Sequence, residues 1–319
     1  TFVYSILVLR SVVPQSEAME AFVPSVAVSG AFLLTLISLG VFIYYVDHVA
    51  HAIRVVHIIE AVAEETRETL GALMGPGTVP DPTTLPSGPP DAVLNNHRRP
   101  GIVTDIDSAG LVALARRHHC CLGIVPYVGD FVPLRAPLAR VWFDPGHSGM
   151  PTPEQLGDHV ALGRERTMGQ DAAFGFRQLV DIAEKALSPA MNDPTTAVQA
   201  IDQIHDLLRR LATADYPTGY YVDEPGALRA MRPLHRWDDY LDLALTEIRQ
   251  YGATSVQVQR RLRALLADLT EATRDAPERA RPITRHLELL ELSVLTGLPE
   301  GDRELARVPD EQGLGGGPH

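Results

Sequence analysis

The fold is decided by Val26–Val46, which reads VAVSGAFLLTLISLGVFIYYV and contains no charged residue. A run of about 20 apolar residues is long enough to cross the hydrocarbon core of a bilayer as an α-helix. Helices of water-soluble proteins rarely stay apolar on every face over such a length. Tyr44 and Tyr45 lie at one end of the run, where an aromatic belt forms at the membrane interface. The stretch therefore predicts a transmembrane helix in contact with a lipid bilayer.

The residues before this helix predict a second membrane segment. Phe2–Val13 is apolar apart from Arg10. It is too short to span a bilayer, so we interpret it as the last half of a spanning helix whose beginning is missing. Pro14–Pro24 then forms a tight loop back into the membrane. We therefore predict a transmembrane hairpin over residues 1–46, with a truncated first helix, as the C-terminal part of a transmembrane helix bundle.

Composition and periodicity divide the rest of the chain, and they predict a mainly α-helical protein. Asp47–Leu70 contains no Gly or Pro and keeps a helical apolar stripe, which is typical of a helix that continues beyond the membrane. Periodicity is then lost before strand-like and finally helix-like patterns return. The predicted segments are a stalk helix at 47–73, a Pro- and Gly-rich linker at 74–100, a small α/β module at 101–148, a helical soluble domain at 149–298 and a disordered tail at 299–319.

Local signals place individual elements within these segments. GIVTDID at 101–107 alternates as a strand. Helices are expected over Pro153–Arg166 and Asp171–Leu187. Asp193 is the predicted N-cap of the next helix, with Pro194 at its first position. The remaining predicted elements are an irregular excursion or hairpin at Tyr216–Met231 and amphipathic helices at Trp237–Tyr251, Ser255–Arg274 and Pro282–Thr296.

Charge and cysteine content restrict the class of protein and its compartment. The net charge of −12 argues against nucleic-acid binding, since phosphate contacts need a basic surface. Cys120 and Cys121 are adjacent and provide no disulfide framework, which favours a reducing compartment. Lys185 is the sole lysine, so the strongly basic side chains are almost all arginines, a composition associated with GC-rich bacterial genomes. We therefore expect a protein of the bacterial inner (plasma) membrane whose soluble region is cytoplasmic.

The stretch RTMGQDAAFGFRQLVDIAEKALSPAMNDPTTA at Arg166–Ala197 concentrates polar side chains around a proline-containing loop. Its carboxylates are suited to cation binding or acid–base chemistry, and the helix start at Asp193 is suited to binding an anion. The same residues also make an N-cap, a proline stop and salt bridges that fix two helices at an angle, and we favour this structural interpretation. The candidate residues are Asp171, Arg177, Asp181, Glu184, Lys185, Ser188, Asn192, Asp193 and Thr195.

The same stretch resembles the signature of a bacterial family of predicted membrane proteins known as domain of unknown function 2254. The span and stalk from Phe22, GIVTDID at 101–107 and EIRQYG at 247–252 are similar to that family too, so the resemblance covers nearly the whole chain. It implies a multi-spanning membrane region followed by a soluble domain. The family brings no established activity.

Histidines and cysteines supply the candidate metal ligands. His48 and His51 lie one helical turn apart on the predicted stalk, although they lack the flanking pattern of known zinc helices. The run His118, His119, Cys120, Cys121 cannot close around one tetrahedral ion, because successive strand side chains point to opposite faces. No nucleophile elbow or nucleotide-binding loop occurs in the sequence. We predict no cofactor, and no motif supports an enzyme.

Two functions of different classes fit these features. Ser29, Thr35 and Ser38 of the spanning helix are suited to lining a pore and equally to packing helices. We favour a homo-oligomeric channel- or transporter-like assembly with a cytosolic domain, and we expect self-association. The lack of charge inside the span argues against an ion relay. The alternative is a membrane-anchored scaffold or regulatory protein whose soluble domain binds a protein partner or a small ligand.

Overall fold

The computed structural model describes residues 2–11, 25–52, 55–74, 85–224 and 226–314. Contacts divide the chain into two compact units, Thr1–Ile58 and Ile59–His319. The helices of the described residues are α1 (Phe2–Ser11), α2 (Ser25–Ala52), α3 (Val55–Leu73), α4 (Ser108–Arg117), α5 (Pro153–Gly157), α6 (Ala172–Leu187), α7 (Pro194–Thr213), α8 (Trp237–Tyr251), α9 (Val256–Ala272), α10 (Pro277–Gly297) and α11 (Glu300–Ala306). The strands are β1 (Ala92–Asn95), β2 (Gly101–Ile106), β3 (Cys120–Ile124), β4 (Phe131–Val132), β5 (Pro137–Phe143), β6 (Val160–Gly163), β7 (Tyr220–Val222) and β8 (Leu228–Met231).

The first unit contains two apolar helices that pack on each other. Val8 of α1 is buried, and the Tyr4 hydroxyl donates to the Ala27 carbonyl of α2 over 3.4 Å. Within α2, Ser25–Val46 has a mean hydropathy of 2.4, and its most apolar window is wholly unburied. It is the one helix of the described residues that is long and apolar enough to span a membrane. Within the described residues the structure therefore has one candidate span, at the N-terminal end. It does not show the transmembrane bundle that the sequence predicted.

Two predicted segments of this region include residues that the structure does not describe. The loop Pro14–Pro24 lies outside the described residues. The predicted stalk at 47–73 is helical in both parts that are described, because α2 continues to Ala52 and α3 begins at Val55. Residues 53 and 54 between them are not described.

From Ile59 onward, α3 belongs to the helical core of the second unit. Ile59, Ala63 and Leu70 recur at helical spacing and are buried. Thr66 lies on the same face beside Gly175 of α6, where an added Cβ would overlap the Thr66 hydroxyl oxygen. The two helices therefore approach so closely that glycine is the residue that fits at 175.

The main hydrophobic core is formed by α3 and the amphipathic helices α6 to α10. The prediction Trp237–Tyr251 is confirmed at both ends by α8, and Asp171 is the N-cap of α6, which ends at Leu187. Ser255 caps α9, as its predicted range implied. The last long helix begins five residues earlier than predicted, at Pro277, because that proline occupies its first turn and Pro282 lies inside.

Two small sheets, packed with α4, form a second core in this unit. One has the strand order β1-β5-β3-β8-β7 and the other β4-β2-β6. All strand pairs are antiparallel except β3 with β8, which are parallel. Their core includes Val103 of β2, Leu111 of α4 and Leu122 of β3. The predicted strand at 101–107 and the hairpin alternative for Tyr216–Met231 are confirmed by β2 and by the pairing of β7 with β8.

The structure corrects the predicted boundaries of the α/β module. Within the proposed linker 74–100, Ala92–Asn95 pairs with β5 and places Leu94 in the core at 2% exposure. A strand of four residues next to prolines is too short to show a periodicity. Strands β6, β7 and β8 come from the predicted helical domain 149–298, yet they complete the two sheets. A sheet can recruit strands from distant sequence, which local patterns do not reveal.

Two further expectations are corrected near the ends of the helical segment. The helix expected over Pro153–Arg166 stops at Gly157, whose carbonyl accepts from Arg98 over 2.7 Å, and the chain then forms β6. The tail 299–319 begins with α11, which buries Ala306. Beyond α11, the Asp310 amide donates to the Arg260 carbonyl over 3.3 Å. This part of the predicted disordered tail is therefore packed against α9.

Gly175→Ala tests the close contact of α3 with α6. The added methyl group should force the helices apart and lower the free energy of unfolding by about 1–3 kcal/mol, the usual cost of overpacking. Gly71→Ala is the matched control on α3, because a Cβ there meets no atom within 4 Å. It should leave stability unchanged or raise it by up to about 1 kcal/mol. Chemical denaturation measures both variants, and equal stabilities for the two would contradict the close contact.

Candidate functional site

Asp171 lies at the start of α6 beside a cleft in the second unit. Its Oδ1 accepts from the Phe174 amide over 3.0 Å, which satisfies one of the free donors of the helix start. The residue is 3% exposed, and its Oδ2 forms no hydrogen bond among the described residues. Nε of Arg166 stands 3.8 Å from that oxygen. Burial raises the pKa of Asp171, because an ionised carboxylate loses its hydration, while Arg166 opposes the shift.

The turn before β4 closes one side of this carboxylate. Gly129 has a φ of +96°, a conformation that favours glycine. Its carbonyl accepts from Nε of Arg166 over 3.0 Å, and a Cβ at this position would overlap Oδ2 of Asp171. Asp130 holds the turn by accepting from the Tyr127 amide over 2.9 Å. The turn thus brings together the Gly129 carbonyl, the Arg166 guanidinium and the Asp171 carboxylate. A residue larger than glycine at position 129 would overlap these side chains.

The Asp171 cleft, as we name it, has apolar and aromatic walls. Its free volume is about 30 Å³, which is enough for a water molecule. The rings of Tyr127 and His235 stack with centroids 4.8 Å apart, and Tyr240 meets His235 edge-on at 5.8 Å. Burial raises the pKa of Tyr240, and the nearby Asp171 adds to that shift. The apolar wall is formed by Leu73, Met74, Val128, Pro217 and Leu234.

Arg232 supplies a guanidinium to the Asp171 cleft just after β8. Its Nη1 donates to Oε1 of Gln170 over 2.8 Å. Gln170 in turn donates to Asp105 over 2.5 Å and accepts from the Ile106 amide over 3.3 Å. Nε of Arg232 is buried and has no partner among the described residues. The cleft therefore contains two buried polar atoms without hydrogen bonds, Oδ2 of Asp171 and Nε of Arg232.

The predicted polar cluster is not one site, since Arg177 gathers part of it elsewhere. Its guanidinium donates to Asp181 over 2.6 Å, to Glu184 over 2.9 Å, and to Glu247 of α8. Burial raises the pKa of Glu184, and Glu247 adds to the shift. This arrangement ties α6 to α8, as the structural interpretation expects. Arg177 also lines a neighbouring groove that shares His235 with the Asp171 cleft.

The turn between α6 and α7 takes up the rest of the predicted cluster. Asp193 caps α7 by accepting from the Thr196 amide over 3.1 Å and from its hydroxyl over 2.6 Å. Asn192 has a φ of +47°, and its backbone amide donates to the Ser188 carbonyl over 2.9 Å. The Lys185 carbonyl accepts from the Ser188 hydroxyl over 2.7 Å. The side chains of Lys185 and Thr195 are exposed.

Sequence reasoning named Asp171 but missed most of the cleft. Arg166 and Gln170 stand in the quoted motif, so their closeness to Asp171 in sequence was a usable signal. Tyr127 follows β3 and Arg232 follows β8 in the chain, and no local pattern links them to α6. Only the pairing of β3 with β8 brings such distant segments together.

The candidate metal ligands do not meet in a described site. The side chains of His48 and His51 lie outside those that the structure describes. His119 stacks on His147 with centroids 4.2 Å apart. Burial raises the pKa of Cys120 to about 11 and that of its neighbour to about 12, which disfavours thiolate ligation. Within the described residues, no group of three or more potential ligands could hold an ion.

Asp193→Ala tests the capping role of Asp193. Loss of the cap should lower the free energy of unfolding by about 1 kcal/mol at neutral pH, whereas Asp193→Asn, an equivalent cap, should stay within a few tenths. The Thr196 hydroxyl lowers the pKa of Asp193. The contribution of the carboxylate is therefore complete above its ordinary pKa of about 3.9 and is lost as the pH falls through the lowered value. Chemical denaturation across this pH range measures it, and an unchanged stability of Asp193→Ala would contradict the role.

Comparison with known proteins places the chain in a family. It matches the family model "Predicted membrane protein (DUF2254)" over residues 1–268. It is 32% identical over 312 residues to uncharacterized protein Rv1290c of Mycobacterium tuberculosis and to uncharacterized protein Mb1321c of Mycobacterium bovis. The alignments cover 96% of this chain and 59% of each relative, so the chain spans about three fifths of the length of these relatives. No solved structure matches. The chain therefore belongs to the DUF2254 family of predicted membrane proteins.

Proposed function

We propose that this protein is a membrane-anchored regulatory protein whose water-soluble unit binds a small molecule in the Asp171 cleft. The observation that carries the proposal is the pair of buried polar atoms without hydrogen bonds, on Asp171 and Arg232, at one cleft. Buried polar atoms are almost always hydrogen-bonded, because leaving one unpaired costs about 1–3 kcal/mol. Few polar groups among apolar and aromatic walls are typical of small-molecule sites.

The candidate span supports the anchoring part of the proposal. Ser25–Val46 is apolar and uncovered, as a segment facing lipid must be. We place the protein in a bacterial inner membrane with its soluble unit in the cytoplasm. The adjacent free cysteines Cys120 and Cys121 support this side, since both are buried and neither forms a disulfide.

A homo-oligomeric channel- or transporter-like assembly is the second candidate. The packing of α1 on α2 favours it, because it shows helix pairing within the first unit. Ser29, Thr35 and Ser38 are exposed on α2 and are the residues that would face a pore. Thr35 donates its hydroxyl to the Ala31 carbonyl over 2.8 Å, which suits helix packing in lipid equally well. We rank this assembly below the binding protein because helix packing explains the hydroxyl groups that would line its pore equally well.

Leu234→Trp tests whether the Asp171 cleft binds small molecules. The larger ring should fill the cleft, whereas Leu292→Trp, on an α10 residue that is 54% exposed, leaves the cleft open. The probes are 2-naphthoate and 2-naphthamide, which share a flat ring system and differ in charge. Ligand-observed NMR on the chain in lipid nanodiscs should show at least one probe bound to the wild type and to Leu292→Trp. Binding to Leu234→Trp should weaken about tenfold or more, since the apolar contacts are lost.

The two tryptophan variants also control for uptake of the probes by lipid. Signal from lipid is the same in all three proteins, so only the difference between Leu234→Trp and Leu292→Trp reports the cleft. If neither probe distinguishes these variants, the cleft is not a binding site and the proposed function is wrong.

A further inference from the structure

Two stretches of the second unit carry arginines and no acidic residue. Residues 92–104 and 131–143 contain four arginines between them and no Asp or Glu, although the whole chain has a net charge of −12. These arginines are Arg98, Arg99, Arg135 and Arg140. The two stretches are therefore basic in a protein that is acidic overall.

The acidic residues that border the two stretches are bound to other groups. Asp91 accepts from the Phe143 amide, Asp105 from the side chain of Gln170, Asp130 from the Tyr127 amide and Asp144 from Arg229. Arg98 pairs with Asp158 over 2.9 Å. Arg99 and Arg135 form no ion pair with any carboxylate in the part of the chain that the structure describes. Their positive charges are therefore not compensated there.

A buried asparagine holds the two stretches together. Asn96 is 1% exposed. Its backbone amide donates to the Ala136 carbonyl and its carbonyl accepts from the Arg135 amide, each over 2.8 Å. Its side-chain amide donates to the Pro133 carbonyl over 3.2 Å. These bonds fix the turn at 133–136 beside the loop that follows β1.

Two large apolar side chains are exposed at the same place. Phe131 is 64% exposed and Leu134 is 52% exposed. Leu134 and Arg135 are the central residues of the turn, and Arg135 has a φ of +67°, a conformation that favours glycine. The turn therefore presents a leucine and an arginine where glycine would be less strained. We name Arg99, Phe131, Leu134 and Arg135 the Leu134 tip.

An anionic bilayer surface is the partner that this combination fits. Arginines are attracted to the acidic headgroups of such a surface. Aromatic and leucine side chains bury at the boundary between headgroups and acyl chains. A small anion in water offers no apolar region to cover Phe131 and Leu134. The bilayer around the candidate span Ser25–Val46 is also attached to the same chain, so the Leu134 tip encounters it at a high effective concentration.

We propose that the second unit docks on the anionic phospholipid surface of the membrane through the Leu134 tip. Arg99 and Arg135 bind lipid phosphates, and Phe131 and Leu134 enter the interface. Docking through this tip goes beyond the proposed function and does not involve the Asp171 cleft. It turns one basic face of an acidic unit toward the membrane.

Quenching of a dye by lipid tests the docking in the whole chain. Leu134→Cys is labelled with nitrobenzoxadiazole, since the natural Cys120 and Cys121 are buried, and placed in phosphatidylcholine nanodiscs with or without phosphatidylglycerol. A lipid with a spin label near its headgroup should lower the emission about twofold or more with phosphatidylglycerol and much less without it. Sodium chloride at about 0.5 M should reverse most of this quenching, because salt screens the attraction.

Matched variants control for the position of the dye and for net charge. Leu292→Cys on α10 is the control label site, because Leu292 is 54% exposed, and its dye should not respond to phosphatidylglycerol. Arg99→Gln combined with Arg135→Gln should reduce quenching at the tip to the level seen in phosphatidylcholine alone. Arg116→Gln combined with Arg117→Gln removes the same charge from exposed arginines of α4 and should leave the quenching intact.

Three results would overturn the docking. The first is equal quenching at position 134 in the two lipid compositions, a comparison that needs no arginine variant to fold. The second is an equal response at position 292, or an equal loss of quenching in the two pairs of arginine variants. The third is shielding of the dye that rises with protein concentration and ignores lipid composition, which would assign the Leu134 tip to a second copy of this chain.

Discussion

The exposed apolar surface of α2 is the constraint on which the organisation of this protein depends. Each large apolar side chain left in water costs about 1.5–3 kcal/mol, so a whole helix of them would be intolerable for a domain with a net stability of about 5–15 kcal/mol. The most apolar window of Ser25–Val46 is unburied, so its packing on α1 does not offset that cost. A lipid environment removes the penalty, and the helix satisfies its own backbone hydrogen bonds there. This energetic argument agrees with the description of the family as predicted membrane proteins.

The second unit is organised around α6, which packs on α7 and α8 and meets Thr66 of α3 at Gly175. Glycine makes the contact with α3 possible, since the missing side chain of Gly175 leaves room for Thr66. The same helix α6 begins at Asp171 and carries Arg177, so it supports both the cleft and the salt bridges to α8. A single helix thus connects the core packing to the candidate site.

The sequence alone predicted those features whose signals are local. The apolar run, the cap at Asp193 and the amphipathic stripe of Trp237–Tyr251 each lie within one element, so periodicity and capping rules were sufficient. The strand Ala92–Asn95 was missed because it is short, and its stability comes from pairing with β5. The cleft was largely missed for a related reason. Tyr127, Arg232 and Asp171 become neighbours only through tertiary packing, which a single sequence does not encode in any local pattern.

The most direct test of the membrane claim is the reactivity of two introduced cysteines in native membranes. Leu36 and Val93 are almost equally exposed within the protein, at 50% and 46%, so protein atoms alone would let both react alike. The natural Cys120 and Cys121 are buried and contribute little background. In vesicles open to a polar maleimide, Val93→Cys should be labelled, whereas Leu36→Cys should stay unlabelled until the membrane is dissolved and the chain unfolded. Equal labelling of the two cysteines in intact membranes would show that α2 is not in lipid and would contradict the account.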